Sequence, residues 1–253
     1  MPTPIDILLD PISLCLMGMF AGLMLWERLA PGRTLPTVRG WLPRALVAVT
    51  AYLMLSSYLP LLWADTLAPI QLFDLSGWPT AAASVCCVLV YELLAYAYHR
   101  SMHTFTPMWR LLHQMHHSAE RQDAASAFWF SPFDMIGWTL VMSLAFGVIG
   151  LPPAAATPAI LFISFLAIFQ HANLRTPRWL GYFVQRPESH SLHHERGVHR
   201  HNYSDLPVFD MIFGSFRNPA RYAADTGFWH GASSRVADML LLRDVSTRPA
   251  DHR

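Results

Sequence analysis

The sequence predicts an all-α fold, an integral membrane helical bundle with a cytosolic helical cap rich in histidine. Three observations support this prediction. The chain of 253 residues is 53% hydrophobic and 14% charged, whereas soluble domains have about 45–50% apolar and about 25% charged residues. Its apolar residues gather in long runs. It also contains 13 histidines, an excess that membrane insertion does not explain.

The composition also excludes two classes of protein. A formal net charge of +1 gives no electrostatic basis for a general affinity for nucleic acid. Disordered chains lack apolar and aromatic residues, so disorder over the whole chain is excluded as well.

Five apolar segments approach the length of about 20 residues that a membrane-spanning helix needs. They cover residues 5–26, 45–63, 78–98, 136–151 and 158–169. The last two are short and are separated by Gly150-Leu151-Pro152-Pro153. The sequence therefore leaves two arrangements open, in which these segments either cross separately or form a hairpin that does not fully cross.

The arginines predict the orientation of the segments. All 18 basic residues are arginine, and they lie between the first two segments, just after the third, and from Arg175 onward. Because positive loops stay in the cytoplasm, we expect the N-terminus outside and the C-terminal segment inside, for five spans and for a hairpin alike. The absence of lysine indicates a GC-rich bacterial genome and hence a bacterial inner membrane.

Beyond Arg175, residues 233–243 predict a short amphipathic helix with Ser233 or Ser234 as its N-cap.

Ten of the histidines fall in two windows, residues 99–117 and 190–201. His99 and His103 are four residues apart, so they share one face of a helix that continues out of the third segment. Two H-x-x-H-H motifs follow, and in each we expect the three imidazoles to converge on one side of a helix. These motifs comprise His113, His116, His117, His190, His193 and His194.

The number of histidines predicts two metal ions. Imidazole is the commonest nitrogen ligand for iron, zinc, copper and nickel. A single structural zinc takes four ligands, whereas the three motifs offer eight. His199 and His201 do not share a helical face, and we expect a solvated turn there, with a ligand role left open chiefly for His201. His230 and His252 lie outside every motif.

These motifs resemble those of the fatty acid hydroxylase/sterol desaturase superfamily, the integral membrane di-iron oxygenases, over residues 80–216. In the first family box an acidic residue and a tyrosine precede His-Arg-x-x-His, as Glu92 and Tyr96 do here. Residues 113–118 resemble the H-x-x-H-H-S box. His171 resembles an additional histidine between boxes, where some members have a second one and this chain has Asn173. Residues 202–204 and 209–215 are similar to the family's N-Y-[GS] and W-D-x-x-F-G-T stretches, with mild departures at positions 209 and 215.

The resemblance implies two iron ions, with O2 as co-substrate. It implies nine candidate iron ligands, which are His99, His103, His113, His116, His117, His171, His190, His193 and His194. Glu92 and Asp210 are candidates for accepting hydrogen bonds that orient imidazoles, or else are a helix-end carboxylate and a turn aspartate. Asn202 and Tyr203 are further candidates around the site.

The function that we expect is O2-dependent hydroxylation of a C–H bond in a membrane lipid, either an acyl chain or a sterol-like molecule. No G-x-G-x-x-G motif follows a strand, so the electrons would come from an external ferredoxin, cytochrome or reductase. Desaturation would use the same site and is an alternative. A non-enzymatic metal-binding or transport protein is another, although transport sites usually place ionisable residues near the bilayer midplane.

Residues 128–130, Phe-Trp-Phe, precede the fourth apolar segment. They are interpreted either as the mouth of an apolar channel to the metal site or as an interfacial aromatic belt.

We divide the chain into N-terminal transmembrane helices (1–79), a catalytic domain (80–216) and a cytosolic C-terminal segment (217–253).

Overall fold

The computed structural model describes residues 1–248, and every regular element within them is a helix. An isolated bridge between Glu195 and Thr226 is the extended pairing found there. The all-α prediction is confirmed. His252 lies outside the described residues.

The α-helices, in chain order, are α1 (Pro4–Leu9), α2 (Pro11–Leu29), α3 (Trp41–Leu67), α4 (Thr80–Thr104), α5 (Thr106–Met108), α6 (Gln114–His117), α7 (Pro132–Val148), α8 (Pro153–His171), α9 (Pro187–His193), α10 (Val208–Ile212) and α11 (Val236–Leu240). A π-helical segment joins α5 to α6, and short 3-10 turns occur at four further places among the described residues.

Four helical segments are long and apolar enough to cross a membrane, which makes this an integral membrane protein. They are Pro11–Leu29, Trp41–Ile70, Thr80–Thr104 and Pro153–His171. The remaining apolar helix, α7, has 17 residues, about 26 Å at 1.5 Å per residue. Four of the five expected segments therefore have the length of a span, and α7 falls slightly short of it.

The first apolar segment is divided, contrary to the expectation of one span over residues 5–26. Asp10 ends α1 and caps α2, because its side chain accepts hydrogen bonds from the backbone N–H of Ile12 and Ser13. Pro11 occupies the first position of α2, where its missing N–H costs nothing. A capping aspartate next to a proline therefore outweighs the continuous apolar character of the run.

Helices α7 and α8 both pack against α4, and the turn between them lies at the far end of the bundle. Their connecting turn contacts the segment that follows α3, through hydrogen bonds from Leu72 N to Val148 O (2.9 Å) and from Leu75 N to Ile149 O (3.1 Å). Gly150 has a φ of 55°, and a Cβ there would lie 2.9 Å from the carbonyl oxygen of Phe73. The turn between α7 and α8 thus lies at the same end of the bundle as the end of α3 and the start of α4.

The C-terminal segment folds back onto the histidine-bearing region. Glu120 accepts hydrogen bonds from the backbone N–H of Gly231 and Ser233. The amphipathic helix expected over residues 233–243 is shorter than expected, since Ser233 lies in a 3-10 turn and α11 begins only at Val236. Its N-cap is Arg235, not Ser233 or Ser234.

Candidate metal centre

The fold brings the nine predicted histidines together as two adjacent groups. Within each group, one ring nitrogen of every histidine lies within 4.8 Å of the others. The first group contains His99, His103, His113, His117 and His193. The second group contains His116, His171, His190 and His194.

Each H-x-x-H-H motif contributes two histidines to one group and one to the other, and the two motifs do so with the groups exchanged. In the motif at 113–117, the first and last histidines belong to the first group and the middle one, His116, to the second. In the motif at 190–194, the first and last belong to the second group and the middle one, His193, to the first. The three imidazoles of a motif therefore do not converge on one point, as the helical spacing alone suggested, but serve two neighbouring points.

In the first group, Nε2 of His99 and Nε2 of His113 lie 2.9 Å apart. Nε2 of His103, His117 and His193 is buried in each case, without a hydrogen-bond partner in the described chain. Buried polar atoms are rarely left unpaired. Three such nitrogens around one point are a donor set that fits a metal ion.

In the second group, Nε2 of His171 lies 3.1 Å from that of His116 and 3.0 Å from that of His190. Nε2 of His194 lies 3.1 Å from that of His190. Two nitrogens bound at right angles to one ion, with bonds of about 2.1 Å, are about 3.0 Å apart. The spacing of these imidazoles therefore fits a shared ion.

Backbone carbonyls fix the orientation of three of these rings through Nδ1, which leaves Nε2 free for a metal. Nδ1 of His99 donates to the carbonyl of Tyr203, that of His193 to His201, and that of His171 to Ala167, each at 2.7 Å. Such outer contacts set the tautomer and direction of a metal-binding imidazole.

The turn that supplies two of these carbonyls has an unusual backbone. His199, His201 and Asn202 have φ values of 42°, 73° and 52°, in the left-handed region that residues other than glycine rarely adopt. Asn202 is fully buried, and its side chain donates to the carbonyls of Ser189 and Arg217. These bonds hold the turn in the conformation that directs its carbonyls at the imidazoles.

Asp134 is a site residue that the sequence analysis missed. Its carboxylate oxygen Oδ2 lies 2.9 Å from Nδ1 of His113, and both side chains are buried. Ser131, the N-cap of α7, accepts a hydrogen bond from the backbone N–H of Asp134 and places it at the start of the helix. The sequence could have indicated Asp134, because it is the one charged residue between 124 and 170. An ionisable group in an apolar segment marks a functional site.

Glu92 and Asp210 have a different role from the one expected, since neither carboxylate contacts an imidazole. Glu92 accepts hydrogen bonds from the backbone N–H of Asp205 and Leu206. Asp210 accepts from the backbone N–H of Tyr203 and Ser204. Both therefore hold the loop that carries the Tyr203 carbonyl, and they act on His99 through that loop.

His199 contacts the site, whereas a solvated turn was expected. Its Nδ1 lies 3.1 Å from Nδ1 of His117, and its ring packs against Trp109 and Phe228. Burial lowers the pKa of His199 to about 4. His201 contributes its backbone carbonyl and lies outside both groups, and His230 is exposed.

Asn173 does not belong to the second group. Its side chain exchanges hydrogen bonds with the backbone of Arg33, accepting from its N–H at 3.0 Å and donating to its carbonyl at 2.7 Å. The second group thus has one histidine fewer than the first.

Burial keeps the histidines of the loops and short helices neutral. It lowers their pKa values well below 6.5, and repulsion between neighbouring imidazoles lowers them further. This holds for His113, His116, His117, His190, His193 and His194. Neutral imidazole is the form that binds metal, so the site is prepared for cations.

A π-helical segment, Trp109–His113, precedes the second motif. Such wider turns are rare and often occur at functional sites. Here the ring of Trp109 lies 5.1 Å from those of His103 and His117, so the segment packs an aromatic wall against the first group. H-x-x-H-H spacing gives no indication of this widening.

A small cavity of about 50 Å³ contacts both groups. Its histidine walls are His99 and His113 from the first group and His116, His171 and His190 from the second. The other walls are largely aromatic and apolar, with Gln170 and Asp205 as polar members. A small molecule held there would lie against both donor sets.

A family model described as fatty acid hydroxylase matches residues 84–215 of the chain. The match contains all nine histidines of the two groups, together with Asp134 and the loop that holds Tyr203. No solved structure matches the chain.

Proposed function

The chain belongs to the fatty acid hydroxylase family, and on this premise we propose that it is an O2-dependent di-iron hydroxylase that inserts oxygen into a C–H bond of a membrane lipid. The observation that carries the proposal is the pair of histidine groups, each built to share an ion, beside one small cavity that contacts both. The first group would hold one iron with five imidazoles and the second group the other with four. Two irons held there would share the electrons that O2 reduction requires, which an external donor would deliver.

An apolar cavity of about 400 Å³ lies next to the histidine groups and supports a lipid substrate. It is enclosed by α2, α3, α7 and α8, and its size is typical of cavities that bind small molecules, about 300–1,000 Å³. Its walls run from Ser13 near the start of α2 to Phe128 beside the metal centre. An acyl chain would fill such a cavity along its length.

Tyr52 and Phe128 line both the large cavity and the small one. Their rings stack with centroids 5.1 Å apart, so this pair stands where an acyl chain would pass towards the irons. Trp129 and Phe130 are buried, which argues against an interfacial belt and for an internal wall. We therefore assign Phe128 to the inner end of the substrate channel.

The protein's own residues would position the reacting carbon and exclude water. Phe128, Phe130 and Trp138 cover the small cavity with aromatic surface. The backbone carbonyls of Tyr203 and His201, with Asp134, would keep each Nε2 directed at an ion. Because Tyr52 and the α2 wall precede residue 84, the N-terminal helices would select the lipid while the family region carries the metal site.

The proposal also includes the domains of the chain, its orientation in the membrane and its electron donor. We propose the domain division 1–79, 80–216 and 217–253, with the histidine groups on the cytoplasmic side of a bacterial inner membrane and the N-terminus outside. Electrons would come from a separate ferredoxin, cytochrome or reductase. The arginine-rich C-terminal segment could dock an acidic donor.

The experiment that tests this function combines metal content with product analysis. Purified protein should contain close to two irons per chain, and lipids from cells that express it should contain a species heavier by one oxygen atom. His116→Ala and His193→Ala, one from each group, should lose iron and activity. Zinc alone with no O2-dependent product would contradict the proposal, and a new double bond without added oxygen would assign desaturation instead.

A further inference from the structure

A third cavity, of about 790 Å³, lies between the C-terminal end of α2 and the N-terminal end of α3, and no histidine among residues 1–248 lines it. Its walls come from the end of α2, the loop before α3, and the residues around 121–123 and 173–175. Four arginines line it, and they are Arg28, Arg33, Arg121 and Arg175.

The carboxylates in this cavity are already bound by other groups. Glu27 accepts from the backbone N–H of Ala124 and Asn173, both at 2.9 Å. Asp123 accepts from the indole of Trp41 and from Arg121. Two carboxylates thus oppose four guanidinium groups, and the cavity has an excess of positive charge.

Arg28 and Arg175 keep donors free for a ligand. In the described part of the chain, the exposed Arg28 has no hydrogen bond or ion pair, whereas the terminal nitrogens of Arg33 donate to Ala223 and Gln122. Arg175 uses its Nε to bind the carbonyl of Gly32 at 2.9 Å, and its terminal nitrogens make no other contact there. Guanidinium groups bind phosphate through paired, charge-assisted hydrogen bonds.

The cavity is held in shape before any ligand arrives. Gly32 donates to the carbonyl of Asn173 at 2.7 Å, and the Asn173 side chain exchanges two hydrogen bonds with the backbone of Arg33. These contacts join the loop that carries Arg33 to the segment that carries Arg175. A preorganised site loses less free energy to ordering when it binds.

Exposed apolar side chains flank the cavity and indicate what the ligand is attached to. Trp26 and Leu29 at the end of α2 are 54% and 75% exposed, and Leu42 in the first turn of α3 is 44% exposed. Free phosphate would not use this apolar surface, whereas lipid chains would cover it. We propose that this cavity binds the anionic phosphate headgroup of a membrane lipid, and this proposal does not depend on the metal chemistry.

The test uses the full-length protein with its metal in a neutral detergent, which removes the field of a charged membrane. Short-chain phosphatidylglycerol is titrated in, with phosphatidylcholine of the same chains and inorganic phosphate as separate probes. Arg28→Ala should weaken phosphatidylglycerol binding about fivefold, and Arg28→Ala with Arg175→Ala about 25-fold. The exposed Arg28 side chain makes no hydrogen bond or ion pair within residues 1–248, so its single variant tests binding with little effect on the fold.

Arg39 provides the matched control, because it is an exposed arginine of the loop between α2 and α3 that does not line the cavity. Arg39→Ala should leave binding unchanged. The proposal is overturned if Arg39→Ala weakens binding as much as Arg28→Ala, or if phosphatidylcholine binds as tightly as phosphatidylglycerol. Inorganic phosphate that binds equally well, with the same dependence on Arg28, would assign a free-phosphate site and exclude the lipid.

Discussion

Asp134 and His113 form a buried pair in which a carboxylate oxygen lies 2.9 Å from Nδ1. When Nε2 of His113 binds a metal, Nδ1 carries the proton and donates a hydrogen bond to Asp134. A carboxylate in this position makes the imidazole a stronger ligand and fixes its direction.

Asp134→Asn should therefore weaken metal binding while the fold is retained, because the amide keeps the shape but loses the charge. We expect a decrease of about 10–100-fold in affinity, measured by competition with a chelator. Glu92→Gln is the comparison, since Glu92 reaches His99 only through the Tyr203 loop and should lose less metal. A greater loss of metal from Glu92→Gln than from Asp134→Asn would contradict the assignment.

His199→Ala should weaken binding at the first group in particular. It removes the partner of His117 Nδ1, which lies 3.1 Å away, and lets that ring rotate. Metal analysis should show a decrease in affinity of about tenfold or more. His201→Ala preserves the carbonyl that binds His193 and should retain full metal, so equal losses in the two variants would argue against this role.

Ser164→Phe should block lipid turnover without loss of metal. Ser164 lines the apolar cavity, so a phenyl ring there would occupy the space of an acyl chain. We expect turnover to fall about a hundredfold, the cost of misplacing the reacting carbon, with unchanged iron content. Val85→Phe is the control, because it introduces the same side chain at a position on α4 that is 60% exposed, and it should have no effect. If Ser164→Phe keeps its turnover, the cavity does not hold the acyl chain.

Acid should destabilise the metal-free protein. Burial holds the pKa values of the six histidines of the two H-x-x-H-H motifs well below 6.5, whereas the same groups titrate near 6.5 once unfolded. Below about pH 6.5 the unfolded chain thus binds more protons, and the free energy of unfolding falls by about 1.4 kcal/mol per pH unit for each extra proton.

The measurement is the unfolding temperature of chelator-treated protein in detergent between about pH 5 and 8. It should be nearly constant above about pH 7.5 and decrease steadily below 6.5. His194→Gln removes one titrating group, so its decrease should be shallower. A flat or rising unfolding temperature towards acid would contradict the prediction.

The sequence predicted the membrane helices and the clustering of histidines because both depend on local patterns. Apolar runs of sufficient length become helices in a membrane, and a spacing of three or four residues places His99 beside His103. The division at Asp10 followed from a capping contact that competes with the apolar run. It could have been inferred from Asp10 and Pro11 themselves.

The missed features depend on contacts between distant segments. Spacing within a helix cannot reveal that His116 faces His171, 55 residues away, or that His199 meets His117 across 82 residues. Glu92 was selected as an imidazole partner because it precedes the first motif, yet Asp134 on another helix takes that role. The local sequence motifs predicted which residues form the site. The packing of α4, α7 and α8 determines which of those residues contact each other.

Each H-x-x-H-H motif contributes histidines to both groups, so the two ions would not load independently. Metal bound by His117 and His113 would order the short helix that also carries His116, and metal bound by His190 and His194 would order the one that carries His193. Binding of the first ion would therefore already order much of the structure that binds the second, so the second ion would lose less conformational entropy on binding. The centre would fill cooperatively and pass from empty to doubly occupied with little of the singly loaded form.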